Sequence, residues 1–72
     1  MQIMKLRIDK KIGNNLSIVI FSGLKNQTLQ NTGTIILSVS EYQKFAIALK
    51  LGSQQMSAHF VVSFENEKKF EV

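Results

Sequence analysis

The amino-acid sequence predicts an α+β fold, with an antiparallel sheet of four or five strands and one amphipathic helix packed on one face. Two observations carry this prediction. Segments in which apolar and polar residues alternate flank a segment with helical periodicity, and each period is typical of its element. With 72 residues and no Cys or Pro, the chain has room for one core. We therefore treat residues 1–72 as a single domain.

The first two predicted strands form a hairpin. Apolar and charged residues alternate from Met4 to Asp9, which predicts one buried face and one wet face that carries the cations. Gly13 to Asn15 supplies residues that tolerate a tight reversal. The next segment, Leu16 to Ser22, is apolar on both faces, which favours a central strand or one at an oligomer interface.

The segment from Gly23 to Gly33 follows neither period and is bracketed by glycines. We interpret it as a long loop, a feature that is uncommon in compact domains unless the loop is functional or mobile. A short apolar strand is predicted from Thr34 to Leu37.

A helix is predicted from Val39 to about Leu51. It starts at a capping box, in which the Ser38 hydroxyl and the Glu41 carboxylate each accept from the other residue's backbone N–H. Gly52 is the expected stop. The predicted apolar stripe comprises Tyr42, Phe45, Ala46 and Leu49, widened by Ile47 and Leu51.

The fourth predicted strand runs from Ala58 to Phe64, with alternate residues inward. Glu65 to Glu67 is a plausible turn. A fifth short strand from Lys68 to Val72 is left open by the pattern, because chain ends fray.

Positive charge is concentrated in the first half of the chain. Residues 1–34 have five cations against Asp9 and are therefore net +4, whereas the charges of residues 35–72 cancel. The five cations are Lys5, Arg7, Lys10, Lys11 and Lys25. A one-sided positive field attracts polyanions through Coulomb attraction and counterion release.

We therefore expect a small nucleic-acid-binding protein that holds single-stranded DNA or RNA on a basic β-hairpin. The candidate site consists of phosphate contacts and one stacking residue: Lys5, Arg7, Lys10, Lys11, Lys25 and Phe21. The single helix lacks an Arg, Asn or Gln array suited to a major groove. Three alternatives stay open. The cations only solubilise a strand or guard its edge, the chain is a protein-interaction module that inhibits or modulates a partner, or it is a structural subunit of an assembly.

Other classes are disfavoured by the residues. There is no serine elbow or glycine-rich phosphate cradle, and His59 lies among apolar neighbours in a predicted strand. We therefore expect neither an enzyme nor a cofactor. His59 is the one imidazole and Cys is absent, so a structural metal site is not expected either.

Length and composition add weaker expectations. A chain of this size buries only about 60% of its unfolded surface, so we expect a homodimer, with Val19 and Phe21 or Ile47 and Leu51 as candidate contacts. The sequence has no apolar run long enough for a membrane span or an export signal, so we expect a cytoplasmic protein. Frequent Ile, Lys, Asn and Gln hint at a phage or mobile-element origin.

The segment from Gly33 to Leu49, GTIILSVSEYQKFAIAL, resembles the strand and capped helix of the transcriptional positive-cofactor family. The resemblance covers about a quarter of the chain. It implies a dimeric protein that binds single strands. That family ends with its helix, whereas here a further apolar strand is predicted from Ala58 to Phe64.

Overall fold

The computed structural model describes residues 1–56 and 58–72 and confirms the α+β class. Its elements are β1 (Gln2–Ile12), β2 (Asn15–Leu24), β3 (Gln30–Ser38), α1 (Val39–Gln55) and β4 (Phe60–Glu65). The four strands form one sheet in the order β3-β2-β1-β4. Strands β1, β2 and β3 pair antiparallel as predicted, but β4 runs parallel to β1. The sheet is therefore mixed, because α1 carries the chain back across one face before β4 begins.

The β1–β2 hairpin closes through a two-residue turn at the predicted position. Gly13 has φ 60°, and a positive φ at the first turn position is typical of a type II′ hairpin. The C=O of Asn14 accepts a hydrogen bond from the N–H of Val39 at 2.9 Å. This bond ties the turn to the start of the helix.

The segment predicted as a long loop is mostly strand, so that prediction was wrong. β2 continues to Leu24 and β3 begins at Gln30, which leaves only residues 25–29 as the connection. Within β3, Thr32 is the extra residue of a bulge, and its hydroxyl accepts a hydrogen bond from the Ser22 hydroxyl at 3.2 Å. The bulge breaks the two-residue alternation, which is why the sequence pattern did not reveal the strand.

The helix begins as predicted. The Ser38 hydroxyl accepts from the N–H of Glu41 at 3.1 Å, and the Glu41 carboxylate accepts from the N–H of Ser38 at 2.9 Å. The backbone hydrogen bond from Ser38 lowers the pKa of the Glu41 carboxyl below its usual value. The capping box is therefore confirmed.

The helix ends later than predicted. Gly52 does not stop it, and α1 continues to Gln55. The hydroxyl of Ser53 donates to the C=O of Phe60 and accepts from the N–H of Val62, both at 3.3 Å. These tertiary contacts hold the last turn against β4 and outweigh the weak helix propensity of one glycine.

β4 starts later than predicted, at Phe60 rather than Ala58. His59 consequently lies in an exposed turn and not in the middle of a strand. Its C=O accepts a hydrogen bond from the N–H of Gln2 at 2.8 Å, which is where the parallel pairing with β1 begins.

The carboxyl-terminal residues form turns, so the fifth strand left open by the sequence is not formed. Asn66 and Glu71 have positive φ values of 70° and 58°, which are incompatible with an extended strand. The Asn66 side chain donates to the C=O of Ile8 at 3.0 Å. Phe70 and Val72 then pack against the core.

The core lies between α1 and one face of the sheet. Its buried side chains come from β1, β2 and the helix: Leu6, Ile8, Leu16, Ile18, Tyr42 and Ala46. The predicted stripe is thus confirmed at Tyr42 and Ala46, which are buried, and at Leu49, which packs against the core, whereas Phe45 is 37% exposed. Ile47 and Leu51 point away from the sheet and are 60% and 55% exposed.

Candidate nucleic-acid interface

The face of the sheet opposite α1 is not covered by any other described element; we call it the open face. The strand register determines which residues belong to it, because side chains directly opposite in neighbouring strands share a face. Its members include Lys5 and Arg7 of β1, Ser17, Val19 and Phe21 of β2, Thr34 and Ile36 of β3, and Ser63 and Glu65 of β4. Apolar, hydroxyl and charged side chains are therefore mixed on one surface.

Arg7 and Phe21 form a stacked pair on the open face. The guanidinium carbon of Arg7 lies 4.8 Å from the centroid of the Phe21 ring. The pairing of β1 with β2 explains this contact, since Lys5 lies opposite Phe21 and Arg7 is the next residue on the same face. Both members of the pair are half-buried. A stacked guanidinium keeps its N–H donors in one plane, where they can meet a phosphate.

Glu65 is a member of the open face that sequence reasoning missed. Its carboxylate lies 3.1 Å from the ammonium of Lys5, and both side chains are about 40% exposed. The parallel pairing of β4 with β1 sets this contact, because it places Glu65 opposite Arg7. An exposed pair of this kind contributes about 0–1 kcal/mol, so an incoming phosphate can displace the carboxylate at small cost.

A bulge in β1 decides which of the two adjacent lysines lies on the open face. The register shifts between Ile8 and Lys10, so that Lys10 lies opposite Ser17 and Lys11 opposite Leu16. Lys10 therefore belongs to the open face, whereas Lys11 belongs to the face that carries the helix. The bulge has no signature in the sequence, so alternation alone does not assign these two side chains.

Lys10 borders a shallow groove at the hairpin end of the open face. The groove has a volume of about 370 Å³. Its lining includes the exposed side chains of Ile12 and Ile36 beside the polar Asn15 and Ser17. This lining suits a planar apolar group with polar edges, such as a nucleobase.

Lys25 lies at the other end of the sheet. Its N–H donates to the C=O of Met1 at 3.0 Å. At about 3.3 Å per strand residue, it is therefore more than about 25 Å from Lys10 along β1.

The structure thus brings four of the six predicted residues to one face and places two elsewhere. Lys5, Arg7, Lys10 and Phe21 are together on the open face. The three cations of that face outnumber the acids even when both Glu65 and Asp9, the bulge residue beside Lys10, are counted. The arrangement can attract an anion and offer it a planar stacking surface.

The chain matches no protein-family model, no curated protein and no solved structure. Among residues 1–56 and 58–72, no three His, Asp or Glu side chains are grouped as metal ligands. No helix in the described part of the chain is long and apolar enough to cross a membrane.

Proposed function

We propose that this protein binds single-stranded DNA or RNA on the open face of its sheet. The observation that carries the proposal is the stack of Arg7 on Phe21, flanked along β1 by Lys5 and Lys10. Single strands are held in this way elsewhere, because cations follow the phosphates while planar groups stack on the bases.

The shape of the surface favours single strands over a duplex. An open sheet offers its side chains to bases that are unstacked and turned towards the protein, which the bases of a duplex are not. Reading a duplex needs an element that enters the major groove. The outward side of α1 carries Lys44 beside the apolar Ile47 and Leu51, so it offers a single cationic donor among apolar side chains and no row of donors for base edges.

The open-face residues have different roles in this proposal. Arg7 and Phe21 stack on a base or, through the guanidinium, bind a phosphate. Lys5 and Lys10 contact phosphates on either side of the pair. Lys11 and Lys25 lie off the open face, so their contribution is the longer-range attraction of the strand.

The test is the affinity for a labelled single-stranded oligonucleotide, measured over a series of salt concentrations. For single strands the logarithmic slope is about −0.7 per phosphate neutralised. We expect Lys10→Glu to weaken binding and flatten this slope. Lys44→Glu makes the same change of charge on the helix, away from the open face, and is the matched control.

A comparison of two neighbours sharpens this test. Lys10→Glu and Lys11→Glu change the same charge one residue apart on opposite faces of β1. Binding on the open face predicts that Lys10→Glu has the larger effect. Equal effects of Lys10, Lys11 and Lys44 substitutions would indicate attraction by net charge alone, and absence of binding at low salt would refute the proposal.

Phe21→Ala tests the stacking part separately. Base stacking on an aromatic ring contributes about 1–3 kcal/mol per base, which corresponds to roughly 5- to 150-fold in affinity. Because Phe21 is uncharged, the salt slope should stay nearly the same. Unchanged affinity of Phe21→Ala would contradict this role.

A second candidate function, contact with a protein partner, is favoured by a different surface. Ile47 and Leu51 are one helical turn apart on α1 and mostly exposed. Exposed apolar groups of this kind often mark protein contacts. Replacing both with Ser should abolish such a contact and leave oligonucleotide binding unchanged.

A further inference from the structure

The outer edge of β3 offers unpaired backbone groups. The N–H of Gln2 donates to the C=O of His59. The backbone N–H and C=O groups of the even-numbered residues of β1, up to Ile8, therefore point towards β4. Because these groups alternate in direction along a strand, the backbone groups of the odd-numbered residues of β2 point towards β1 and those of its even-numbered residues point towards β3. The N–H and C=O groups of Thr34 and Ile36 consequently point away from β2. In the described part of the chain they have no hydrogen-bond partner.

The opposite edge of the sheet is protected. By the same alternation, the C=O of Phe60 and the N–H of Val62 lie on the outer side of β4. The hydroxyl of Ser53 bonds to both at 3.3 Å. β4 is also shorter, with six residues against nine in β3, and it ends at the acidic Glu65. The two edges thus differ in their capacity to accept another strand.

Charge also favours the β3 edge as a contact between copies. Two copies repel each other, because each has a net charge of +4. Residues 26–40, which include all of β3, contain no charged side chain. A second copy can approach along this edge while the cations of β1 stay two strands away.

We propose that two copies of this chain pair through β3, antiparallel about a two-fold axis at Ile35, into one continuous sheet. In this register the backbone of Thr34 bonds to that of the partner subunit's Ile36, and the backbone of Ile36 bonds to that of the partner subunit's Thr34. The Ile36 side chain, which is 72% exposed in one copy, is then covered by the partner subunit's Thr34. Such pairs of β-branched residues stabilise antiparallel strands.

This pairing is argued from the β3 edge and not from nucleic-acid binding, and it extends the nucleic-acid proposal. The two surfaces share Ile36, which borders the groove and lies in the dimer contact. A two-fold axis perpendicular to the sheet places both helices on one side and both open faces on the other. Five strand spacings of about 4.8 Å would then separate the two β1 strands by about 24 Å. The dimer would present two Arg7–Phe21 stacks on one surface.

The first test is the mass in solution, measured by sedimentation equilibrium over a dilution series. We expect twice the chain mass of 8.1 kDa for the natural protein and the single-chain mass for Ile36→Lys. A lysine on an edge strand blocks pairing. Ile47→Lys is the matched control, because it makes the same change at a similarly exposed position on the helix and should leave the dimer intact.

The outcomes distinguish a second copy at the β3 edge from another protein at that edge and from a dimer that forms through α1. A monomeric natural protein would overturn the proposal, even if the β3 edge accepted a strand from another protein. A dimer that survives Ile36→Lys but not Ile47→Lys would place the interface on α1 and overturn it as well. Circular dichroism of both variants checks that the monomer remains folded.

Cross-linking tests the register itself. The chain has no Cys, so a single introduced Cys can form a disulfide only with its counterpart. At Ile35 the two copies would be directly opposite with Cα atoms about 4.5 Å apart, which permits a disulfide. At Ile36 the counterparts would be about 8 Å apart, beyond disulfide reach.

We therefore expect Ile35→Cys to cross-link in high yield under mild oxidation and Ile36→Cys to cross-link poorly, although Ile36 is the more exposed residue. The reverse order would rule out this register. Loss of the Ile35→Cys product in the presence of the additional Ile36→Lys change confirms that the cross-link forms through the paired edges.

Discussion

Arg7 shows how a surface residue on a strand gains a specific role from its neighbour across the ladder. The sequence places Arg7 and Phe21 far apart, and the hairpin register brings the guanidinium to 4.8 Å from the ring centroid. A contact of this kind contributes about 0.5–1 kcal/mol at an exposed site. It also holds the arginine in one orientation, which lowers the entropy lost on binding an anion.

Glu65 opposes anion binding on the same face, so its removal should strengthen binding. The carboxylate lies 3.1 Å from the Lys5 ammonium. We expect Glu65→Gln to raise oligonucleotide affinity by about two- to fivefold, which corresponds to the worth of an exposed ion pair. The measurement is the same oligonucleotide titration at low salt.

Glu71→Gln is the control for that change, because it alters the net charge equally in the carboxyl-terminal turns. An equal gain from both substitutions would show that only net charge matters. A loss of affinity in Glu65→Gln would show that Glu65 positions Lys5 instead of competing with the ligand.

Tyr42 is the polar centre of the other side of the molecule. Its hydroxyl donates to the Glu67 carboxylate at 2.7 Å, and Lys50 lies 3.6 Å from the second oxygen of that carboxylate. The ring itself is buried in the core. Burial, followed by the hydrogen bond to Glu67, raises the pKa of the Tyr42 phenol well above its usual value.

This shift predicts a loss of stability at high pH. A group whose pKa is higher in the folded than in the unfolded chain stabilises the fold below the unfolded value, about 10 for tyrosine, and loses this contribution as the pH rises through the folded value. Tyr42 is the one tyrosine in the chain, so absorbance of the tyrosinate reads it directly. We expect little ionisation at pH 10 until the protein unfolds.

Tyr42→Phe is the matching variant. At neutral pH it should be less stable by about 1.5–3 kcal/mol, since a hydrogen bond to a charged group is removed. The difference from the natural protein should shrink as the pH rises above about 10, and denaturant unfolding at several pH values measures it. Ionisation of the folded natural protein near pH 10 would contradict this view of Tyr42.

At the scale of elements, the start of α1 depends on its capping box, which is formed by two residues close in the chain. Ser38 and Glu41 satisfy each other's backbone N–H groups, and the first turn of the helix follows directly from an edge strand. Ser38→Ala should therefore lower the free energy of unfolding by about 1 kcal/mol, the usual worth of such a cap. The midpoint of denaturant unfolding measures this loss.

Ser38→Asn is the control for the cap, because asparagine is also a good N-cap residue and should retain most of the stability. Equal losses in both variants would indicate that the Ser38 side chain matters for packing and not as a cap. Ser40→Ala, one residue into the exposed first turn, should have little effect.

The elements that the sequence predicts well are those fixed by neighbours in the chain. The capping box needs only Ser38 and Glu41, and the alternation from Met4 to Asp9 needs only one strand. The extent of β3 could not be predicted in this way, because the Thr32 bulge interrupts its pattern. The end of α1 depends on Ser53 meeting β4, which is a contact between elements.

The candidate site shows the same division. Lys5, Arg7 and Phe21 share a face because a simple hairpin pairs them, and this much follows from the sequence. The position of Lys10 depends on a bulge, and Glu65 enters the site through the parallel pairing of β4. No local sequence pattern predicts the bulge or the strand with which β4 pairs.

At the scale of the whole molecule, the helix covers one side of the four-stranded sheet and leaves the other side open, so the two sides differ in character. The helix side holds the core and the Tyr42 network, whereas the open face is left to cations, hydroxyls and a stacked aromatic ring. The two edges also differ, because Ser53 protects the β4 edge whereas the uncharged β3 edge keeps the unpaired backbone groups on which the proposed dimer rests. The buried core, the basic open face and the proposed dimer edge thus occupy separate parts of a small protein.

The most direct test of the central claim locates the ligand on the molecule. In a methyl NMR titration with a short single-stranded oligonucleotide, Val19 and Ile12 report the open face, and Ile47 and Leu51 report the outward side of the helix. Binding on the open face predicts that the first two signals shift while the second two stay in place. Shifts confined to Ile47 and Leu51, or no shift in any of the four, would contradict it.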